Sequence, residues 1–588
     1  DSFRTDFTVS NQFDGNAGSN TMDYSNANAS QKIVVTLDGA NFRDVTIGTG
    51  AVVDSVKNIQ NVYGGAGNDE ITGDGNSNIL RGGAGSDIIR GTAGINQLFG
   101  DEGDDIIYGG TGNDFIDGGA DNDIIYANAG DNIVHGGTGV DTIFSGSGND
   151  TIYGGTSSVI GAEQDWVSFQ NALASVTVNL NKVSGDSVAG VYTDATGYAT
   201  SVATGIDSFF GIENIVGSAN NDDITLRDTQ VNTIYAGGGS DIVRVGTSAY
   251  TGGNTIDGFG VTGTESSSDS DTMNYEALGI TQNITVDLNT TDGGGYATVT
   301  FAGGISEDKL RSIENITGTS GNDIITGKDS TNNTLIGGLG DDTLMGRSGN
   351  NYLDGGDGTT NNTVSYAYVG SASRVVVNLD EQTANVVGSG YSDVIRNIQN
   401  VIGGDGDDTI TGSGLVNTLQ GGLGADTFVM KGSANDTVYG GLSSGVDTNT
   451  QDTVNYSSYS LKVLVNLETQ TGIVDISDNN FASGTKNDTF FGIDNVIGTA
   501  QNDTIHGGSG VNTIFAGNGA DIIYAGSGRD VIYGQEGDDV IYMNVDGYTT
   551  NNLVDGGEGT DTVVYTGLTN GIRVNLQDGT TVGVTVGG

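Results

Sequence analysis

The 588-residue chain is long enough for several domains, but its composition narrows the classes of protein to which it can belong. Its 101 glycines occur without any proline, so it is not collagen-like, and a hydrophobic fraction of 35% with clear periodicity argues against a disordered chain. The 74 acidic and 20 basic residues give a net charge of -54, which argues against direct binding to nucleic acid or to an anionic membrane surface. No apolar run approaches the length of a membrane span.

A β lead-in over residues 1–63 contains three elements that recur along the chain. They are an opening of the form Asp/Asn-x-apolar-x-aromatic at Asn20–Tyr24, an alternating strand at Ile33–Leu37 and an Ile-x-Asn-apolar step at Ile59–Val62. Alternation with a period of two and β-branched residues predict a strand for the second element. We call the opening with the strand and loops that follow it a cassette, and the third element the re-entry step.

Residues 64–155 follow, and Gly64 to Tyr153 divide without a gap into ten nine-residue units. Glycine is common at positions 1, 2 and 4, position 6 is Asp or Asn, and position 8 is always aliphatic. Glycine permits the positive φ of a tight turn, while position 8 can point one aliphatic side chain inward from a three-residue strand. Each unit is therefore predicted to be a turn followed by a short strand.

A carboxylate at position 6, beside a Gly-rich loop with available carbonyls, provides the all-oxygen environment that Ca²⁺ prefers. The units resemble the GGxGxDxUx nonapeptides of RTX (repeats-in-toxin) proteins. This resemblance implies an all-β fold, a parallel β-roll or β-solenoid with Ca²⁺ between turns, and type I secretion of an unfolded chain that folds outside the cell. The large negative charge also indicates folding coupled to millimolar Ca²⁺.

The rest of the chain repeats this alternation of cassettes and nonapeptide runs, with six openings in all and no predicted helix. The predicted boundaries after the 64–155 RTX β-roll are a β cassette at 156–216, a short RTX run at 217–258, a β cassette at 259–317, an RTX run at 318–358, a β cassette at 359–402, an RTX run at 403–441, a β cassette at 442–497, an RTX run at 498–564 and the start of a further cassette at 565–588.

If two units make one turn of the solenoid, position-6 residues two units apart lie on the same edge. In the first run, one edge carries only Asp, whereas the other edge mixes Asn and Asp. Asn offers a neutral ligand or forms side-chain amide ladders, so we expect Ca²⁺ to concentrate on the first edge. Equal calcium occupancy at Asn78 and Asp87 would contradict this expectation. The predicted calcium ligands are Asp69, Asp87, Asp105, Asp114, Asp123, Asp141, Asp150, Asp222, Asp241, Asp323, Asp342, Asp408, Asp426, Asp436, Asp503, Asp521, Asp530, Asp539 and Asp561.

Two features of the units have alternative interpretations. The position-6 aspartates could act only as turn formers through Asx-turns, although stacked carboxylates without a cation between them would repel. On the odd strands of a run, the outward positions 7 and 9 form an apolar stripe, which either is covered by the alternating strands of the cassettes or is an assembly surface. The stripe includes Ile88, Ile106, Tyr108, Ile124, Tyr126, Phe144, Ile522, Tyr524, Val540 and Tyr542.

Catalytic motifs are not convincing anywhere in the sequence. His135 and His506 are not part of an HExxH pattern, so no zinc site is expected. A GxSxG match at Gly441–Gly445 has no helix pattern after it, and the solenoid accounts for the carboxylates that a glycosidase would need. Trp166 is expected to be a core plug at its opening. We therefore do not expect an enzyme.

These patterns predict a secreted calcium-binding structural repeat protein of the cell surface or extracellular matrix, similar to RTX surface-layer proteins and adhesins. Its expected partners are Ca²⁺ and either further copies of itself, in a lattice or fibre, or cell-surface polysaccharide. The alternative is the calcium-dependent carrier or secretion region of a larger RTX enzyme or toxin. A third hypothesis is a carbohydrate-binding adhesin that uses exposed tyrosines such as Tyr108 and Tyr126.

Overall fold

A computed structural model describes residues 1–5, 7–49, 52–155, 163–181, 196–260, 269–303, 305–356, 361–443, 451–474, 486–544, 552–566 and 583–586. Within these ranges the chain consists of β-strands and turns and contains no helix, which confirms the all-β prediction. The same ranges accordingly offer no helix that could cross a membrane. The chain divides into two compact units, Asp1–Thr317 and Gly318–Gly588.

The first unit is built from short strands that alternate between two sheets. Its strands are β1 (Ser2–Arg4), β2 (Gln12–Asp14), β3 (Thr21–Asp23), β4 (Ile33–Thr36), β5 (Arg43–Ile47), β6 (Val52–Lys57), β7 (Asn61–Tyr63), β8 (Glu70–Thr72), β9 (Ile79–Ala84), β10 (Ile88–Arg90), β11 (Gln97–Glu102), β12 (Ile106–Thr111), β13 (Phe115–Ala120), β14 (Ile124–Ala129), β15 (Ile133–Thr138), β16 (Thr142–Phe144), β17 (Thr151–Gly155), β18 (Trp166–Ser168), β19 (Thr177–Asn179), β20 (Gly197–Ser201), β21 (Gly205–Phe210), β22 (Asn214–Val216), β23 (Asp223–Thr225), β24 (Thr233–Gly237), β25 (Ile242–Arg244), β26 (Thr255–Phe259), β27 (Thr272–Asn274), β28 (Ile284–Thr291), β29 (Ala297–Phe301), β30 (Asp308–Arg311) and β31 (Asn315–Thr317).

The second unit follows the same plan. Its strands are β32 (Ile324–Thr326), β33 (Thr334–Ile336), β34 (Thr343–Met345), β35 (Tyr352–Asp354), β36 (Thr363–Ser365), β37 (Arg374–Asn378), β38 (Thr383–Val387), β39 (Tyr391–Arg396), β40 (Asn400–Ile402), β41 (Thr409–Thr411), β42 (Thr418–Gln420), β43 (Thr427–Val429), β44 (Thr437–Tyr439), β45 (Thr453–Asn455), β46 (Val463–Asn466), β47 (Thr471–Val474), β48 (Lys486–Phe491), β49 (Asn495–Ile497), β50 (Thr504–His506), β51 (Thr513–Asn518), β52 (Ile522–Tyr524), β53 (Val531–Glu536), β54 (Val540–Asn544), β55 (Leu553–Glu558), β56 (Thr562–Thr566) and β57 (Gly583–Val586).

Parallel strand pairing in the nonapeptide runs shows that one turn of the solenoid contains two nine-residue units. Ile89 pairs with Ile107, and Ile107 pairs with Ile125, so each residue lies beside the residue eighteen positions later. Only the central residue of each three-residue strand points inward. The position-8 side chains of the first run, from Ile71 to Ile152, are therefore all buried. Burial of each such side chain stabilises the fold by roughly 1.5–3 kcal/mol.

The cassettes are inserted into the sheets as antiparallel three-strand segments, which we call meanders. In the second cassette, β19 pairs with β20 and β20 with β21, while β21 pairs with β17 and β19 pairs with β23. The meander therefore lies edge to edge between two solenoid strands of one sheet. The meanders β4–β6, β37–β39 and β46–β48 are joined in the same way.

Openings and re-entry steps are ordinary solenoid strands in the opposite sheet. The opening strand β18 pairs directly with the re-entry strand β22, with Val167 beside Ile215. Equivalent pairs join β3 to β7, β27 to β31, β36 to β40 and β45 to β49. Each meander therefore replaces a single strand of the solenoid with three.

Two expectations about exposure are wrong. The cassette strands do not cover the apolar stripe, because they pair within the sheets, and Ile124 and Tyr524 remain 37% and 36% exposed. Trp166 is not a core plug, because Val167 occupies the inward position and alternation turns its neighbour outward. Trp166 is half-buried and stacks on Tyr235 at 5.4 Å. Of the further cassette predicted at 565–588, the structure describes only residues 565, 566 and 583–586.

Candidate metal sites

The position-6 residues form two hydrogen-bonded ladders along the solenoid edges. On the first edge, the backbone N–H of Asp69 donates to Oδ1 of Asp87, and the same contact joins Asp87 to Asp105 and Asp105 to Asp123, at 2.6–2.8 Å. On the second edge, equivalent bonds run from Asn78 through Asn96, Asp114 and Asn132 to Asp150. Turn and strand meet at position 6, so this side chain holds successive turns together at each corner.

Each ladder carboxylate uses only one of its oxygens in this way. The predicted calcium ligands are all nearly fully buried, with exposures between 0 and 4%. Many of them have an Oδ2 atom without a hydrogen-bond partner among the described residues. These are Asp87, Asp105, Asp114, Asp123, Asp141, Asp150, Asp241, Asp342, Asp426, Asp521, Asp530 and Asp539. Because a buried carboxylate oxygen without a partner is costly, a row of them is suited to binding a cation.

The acid–base behaviour of these carboxyl groups supports the same conclusion. The pKa of Asp87, Asp105 and Asp123 is raised from 3.8 to about 8, mainly by burial and in smaller part by the neighbouring ladder carboxylates. Burial likewise raises the pKa of Asp426 to about 9, with Asp408 and Asp452 adding to the effect. Without positive charge nearby, these groups favour their neutral form, whereas a bound cation would hold them ionised.

Backbone carbonyls meet the free oxygens at the glycine of position 1. A Cβ atom on Gly100 would overlap both Oδ2 of Asp105 and the carbonyl oxygen of Gly118. The same pairing of a carboxylate with the next turn's carbonyl occurs at Gly136 and at Gly534. Glycine is therefore required here by close approach, and the turn gathers oxygen atoms of two kinds around one point.

Hard divalent cations suit this donor set. Among the described residues, no three His, Cys, Asp or Glu side chains cluster closely enough to hold a metal by themselves. A cation in the turns must therefore combine one or two carboxylates with backbone carbonyls. That all-oxygen set is typical of Ca²⁺ sites and unsuited to zinc.

Comparison with protein families agrees with this geometry. The model of the RTX calcium-binding nonapeptide repeat (4 copies) matches residues 60–89, 90–125, 126–157, 229–251, 312–330, 328–360, 402–429, 488–523 and 515–542. The chain is an RTX repeat protein. Its repeats bind Ca²⁺. A bound Ca²⁺ would supply the positive charge that the ladder carboxylates lack. A comparison with curated proteins found no match.

The first aspartate of each RTX run has a different environment from those that follow. Oδ2 of Asp69 accepts the N–H of Gly65 at 2.7 Å, and its Oδ1 accepts the N–H of Ile33 from the first meander, also at 2.7 Å. Asp222, Asp408 and Asp503 make the same two contacts, and Oδ2 of Asp323 likewise accepts the N–H of Thr319. These aspartates anchor a run to a meander, and their role as calcium ligands stays a prediction.

The second position-6 residue of each run is always Asn, and the structure gives a reason. Nδ2 of Asn78 donates to the carbonyl of Gln60 in the re-entry step, while its Oδ1 accepts the N–H of Asp74. Asn417 and Asn512 make equivalent contacts. An amide donates and accepts at once, whereas an ionised carboxylate only accepts, so Asn suits this place better than an Asp carboxylate would. The predicted amide ladder occurs in the third run, where Nδ2 of Asn333 donates to Oδ1 of Asn351 at 2.9 Å.

Sequence reasoning missed the ladder members supplied by the cassettes. Asp150 donates its N–H to Oδ1 of Asp207 in the second meander, and Asp54, Asp308, Asp393 and Asp488 occupy the same place in the other meanders. Each lies five residues before the isoleucine of a re-entry step, an Asp-x4-Ile-x-Asn spacing that could have revealed them. The opening residues Asp165, Asp271 and Asp452 also continue the ladders.

Buried tyrosines of the openings satisfy several of these meander aspartates. The hydroxyl of Tyr366 donates to Oδ2 of Asp393 at 2.9 Å, and Tyr456 makes the same contact with Asp488 at 2.8 Å. In the second cassette Phe169 stands at this place and offers no hydroxyl. The aromatic residue of the opening is thus part of the polar framework as well as of the core.

Aromatic residues of the stripe stack on one another across neighbouring strands. Tyr108 and Tyr126 are parallel with ring centroids 4.8 Å apart, and Tyr126 and Phe144 are 4.4 Å apart. This spacing matches the distance between strands. Both faces of Tyr126 are therefore covered by other rings. His506, Tyr524 and Tyr542 form a similar stack in the last run.

Proposed function

We propose that this RTX protein is a secreted, calcium-folded structural protein of the cell surface or extracellular matrix, with no catalytic activity of its own. Calcium binding by the repeats is the property on which the proposal is built. Export by type I secretion fits a chain whose buried carboxylates oppose folding until it meets extracellular Ca²⁺.

The continuity of the ladders carries this proposal. They do not stop at the cassettes, because Asp141 is bonded to the opening residue Asp165 and Asp150 to the meander residue Asp207. In the fourth run, Asp426 and Asp436 continue in the same way to Asp452 and Asp488. Runs and cassettes therefore belong to one framework within each unit, which supports a scaffold in preference to separate functional modules.

Self-association is the second part of the proposal, and the uncovered stripe supports it. Within the stripe, Ile124 and Ile522 expose 37% and 38% of their surface on strands β14 and β52. Rows of exposed aliphatic side chains on strands favour contact with another apolar surface. A second copy of the chain offers such a surface without any further partner.

Calcium titration of the purified chain tests both parts. We expect far-UV circular dichroism to show β-structure appearing as Ca²⁺ is added, and electron microscopy to show sheets or filaments at saturation. β-Structure that persists in chelator would refute calcium-coupled folding. A folded, monodisperse monomer at saturating Ca²⁺ would favour the alternative, a carrier region of a larger RTX enzyme or toxin.

The stripe can be tested separately from folding. Ile124→Lys introduces a charge at an exposed position whose side chain takes no part in the aromatic stacks, so we expect it to abolish assembly while calcium-induced β-structure remains. Ile95→Lys is the matched control, because Ile95 is 65% exposed but lies in a turn outside the stripe. Assembly that survives Ile124→Lys unchanged would count against the stripe.

Carbohydrate binding through the tyrosines is less well supported. Sugars pack against the open face of an aromatic ring, and both faces of Tyr126 are covered by Tyr108 and Phe144. We therefore place assembly before a carbohydrate-binding role for this surface.

A further inference from the structure

One step of the ladders already contains a cation. The Nζ atom of Lys486, in the fifth meander, lies 2.7 Å from Oδ2 of Asp436 and 3.4 Å from Oδ2 of Asp488. All three side chains are fully buried. Asp436 and Asp488 are consecutive members of the second edge, since the N–H of Asp436 donates to Oδ1 of Asp488.

The remaining contacts of the ammonium group are also with oxygen. Nζ donates to the carbonyl of Lys431 and to the hydroxyl of Tyr459, both at 2.9 Å. The group is therefore surrounded by two carboxylates, one carbonyl and one hydroxyl. This is the kind of oxygen environment that the other ladder steps offer to a divalent ion.

The corresponding residue differs in every other meander. Two positions before the meander aspartate stand Val52, Gly205, Ser306 and Tyr391, none of which carries a charge. Oδ2 of Asp150, at the equivalent step of the first run, correspondingly has no partner among the described residues. The oxygen that is free there is occupied by an ion pair at Asp436.

We propose that the Lys486 ammonium is a built-in cation that takes the place of Ca²⁺ at the step between Asp436 and Asp488. The negative charge of these carboxylates is then offset without metal. Asp436 therefore does not bind Ca²⁺, although it stands at the position of a calcium ligand in its nonapeptide unit. The joint between the fourth RTX run and the fifth meander consequently forms independently of calcium. The inference rests on the ion pair and not on assembly of the chain.

Calcium counting on the full-length chain tests the proposal. Lys486→Ala removes the ammonium and opens space beside both carboxylates, so we expect one additional Ca²⁺ per chain by equilibrium dialysis with elemental analysis. We also expect the melting temperature of the variant to fall at limiting Ca²⁺ and to recover at saturation. Lys309→Ala is the matched control. Lys309 follows a meander aspartate directly, but its side chain is 52% exposed and pairs with Asp292 away from the ladder, so its calcium count should not change.

A second variant keeps the proposal testable if Lys486→Ala does not fold. Lys486→Ala combined with Asp436→Asn removes the cation and one of the two charges, so it should fold in calcium and bind the same number of ions as the unmodified chain. An unchanged calcium count in Lys486→Ala, or a loss of stability that saturating Ca²⁺ does not recover, would overturn the proposal. Neither measurement depends on whether the protein forms sheets or filaments.

Discussion

Acidification should partly replace calcium in folding this protein. The fold favours the neutral form of the buried ladder carboxyls, since burial raises the pKa of Asp87, Asp105 and Asp123 to about 8 from 3.8. The stability of the calcium-free fold is therefore greatest below pH 3.8 and is lost progressively as the pH rises towards 8. Calcium reverses this dependence because it stabilises the ionised form.

The free-energy cost of keeping these carboxyls neutral at pH 7 is large for a protein of ordinary stability. At 1.36 kcal/mol per pH unit, keeping one such carboxyl neutral at pH 7 costs roughly 2–4 kcal/mol after allowance for solvent screening. Three of them together cost about as much as the 5–15 kcal/mol that typically stabilises a whole domain. Lowering the pH from 7 to 5.5 increases the stability of the calcium-free fold by up to about 2 kcal/mol for each carboxyl.

The assay is circular dichroism in calcium-free buffer containing BAPTA, titrated from pH 8 to pH 5.5. We expect β-structure to increase as the pH falls, and a parallel titration in saturating Ca²⁺ to show folded protein throughout. Calcium-free protein that is equally folded at both ends, or that loses β-structure on acidification, would refute the reasoning.

Two substitutions test the oxygen framework directly. Gly100→Ala should remove one bound Ca²⁺ and lower the melting temperature at limiting Ca²⁺, because the new Cβ would overlap Oδ2 of Asp105. The control is Gly75→Ala, since a Cβ at Gly75 meets no atom within 4 Å. Calcium counting and thermal melts are applied to both variants. Equal behaviour of the two would contradict a calcium site at the close approach of Gly100 to Asp105. Tyr366→Phe should destabilise the calcium-bound protein by about 1–3 kcal/mol, because it leaves a buried carboxylate oxygen unpaired, whereas Tyr352→Phe at an exposed site should change little in the same thermal melts. A neutral effect of Tyr366→Phe would show that the hydroxyl contact is unimportant.

The repeat itself could be predicted from the sequence because its information is local. A glycine-rich turn, an Asp or Asn at position 6 and an aliphatic residue at position 8 determine which side chain turns inward and which lies at the corner, as Ile107 and Asp105 show. The eighteen-residue pairing then follows from two units per turn.

The contributions of the cassettes could not be predicted because they depend on pairing across long and variable segments. Asp150 meets Asp207 only because the meander folds back between β17 and β23. Nothing within the sequence around Lys486 shows that it reaches Asp436, fifty residues earlier. The outward direction of Trp166 follows from alternation alone, but a large aromatic residue at an opening suggested the core instead.

The alternation of meanders between the two sheets limits how much longer one sheet becomes than the other. In the first unit, β4–β6 lie in the sheet of β8, β19–β21 lie in the sheet of β17, and β28–β30 return to the first of these sheets beside β26. Three strands in place of one lengthen one face by about 10 Å, given a strand spacing of about 4.8 Å. A succession of meanders in one sheet would accumulate this difference, whereas alternate placement offsets it. Whole meanders can thus be gained or lost in compensating pairs while the calcium-binding turns on either side keep their eighteen-residue spacing.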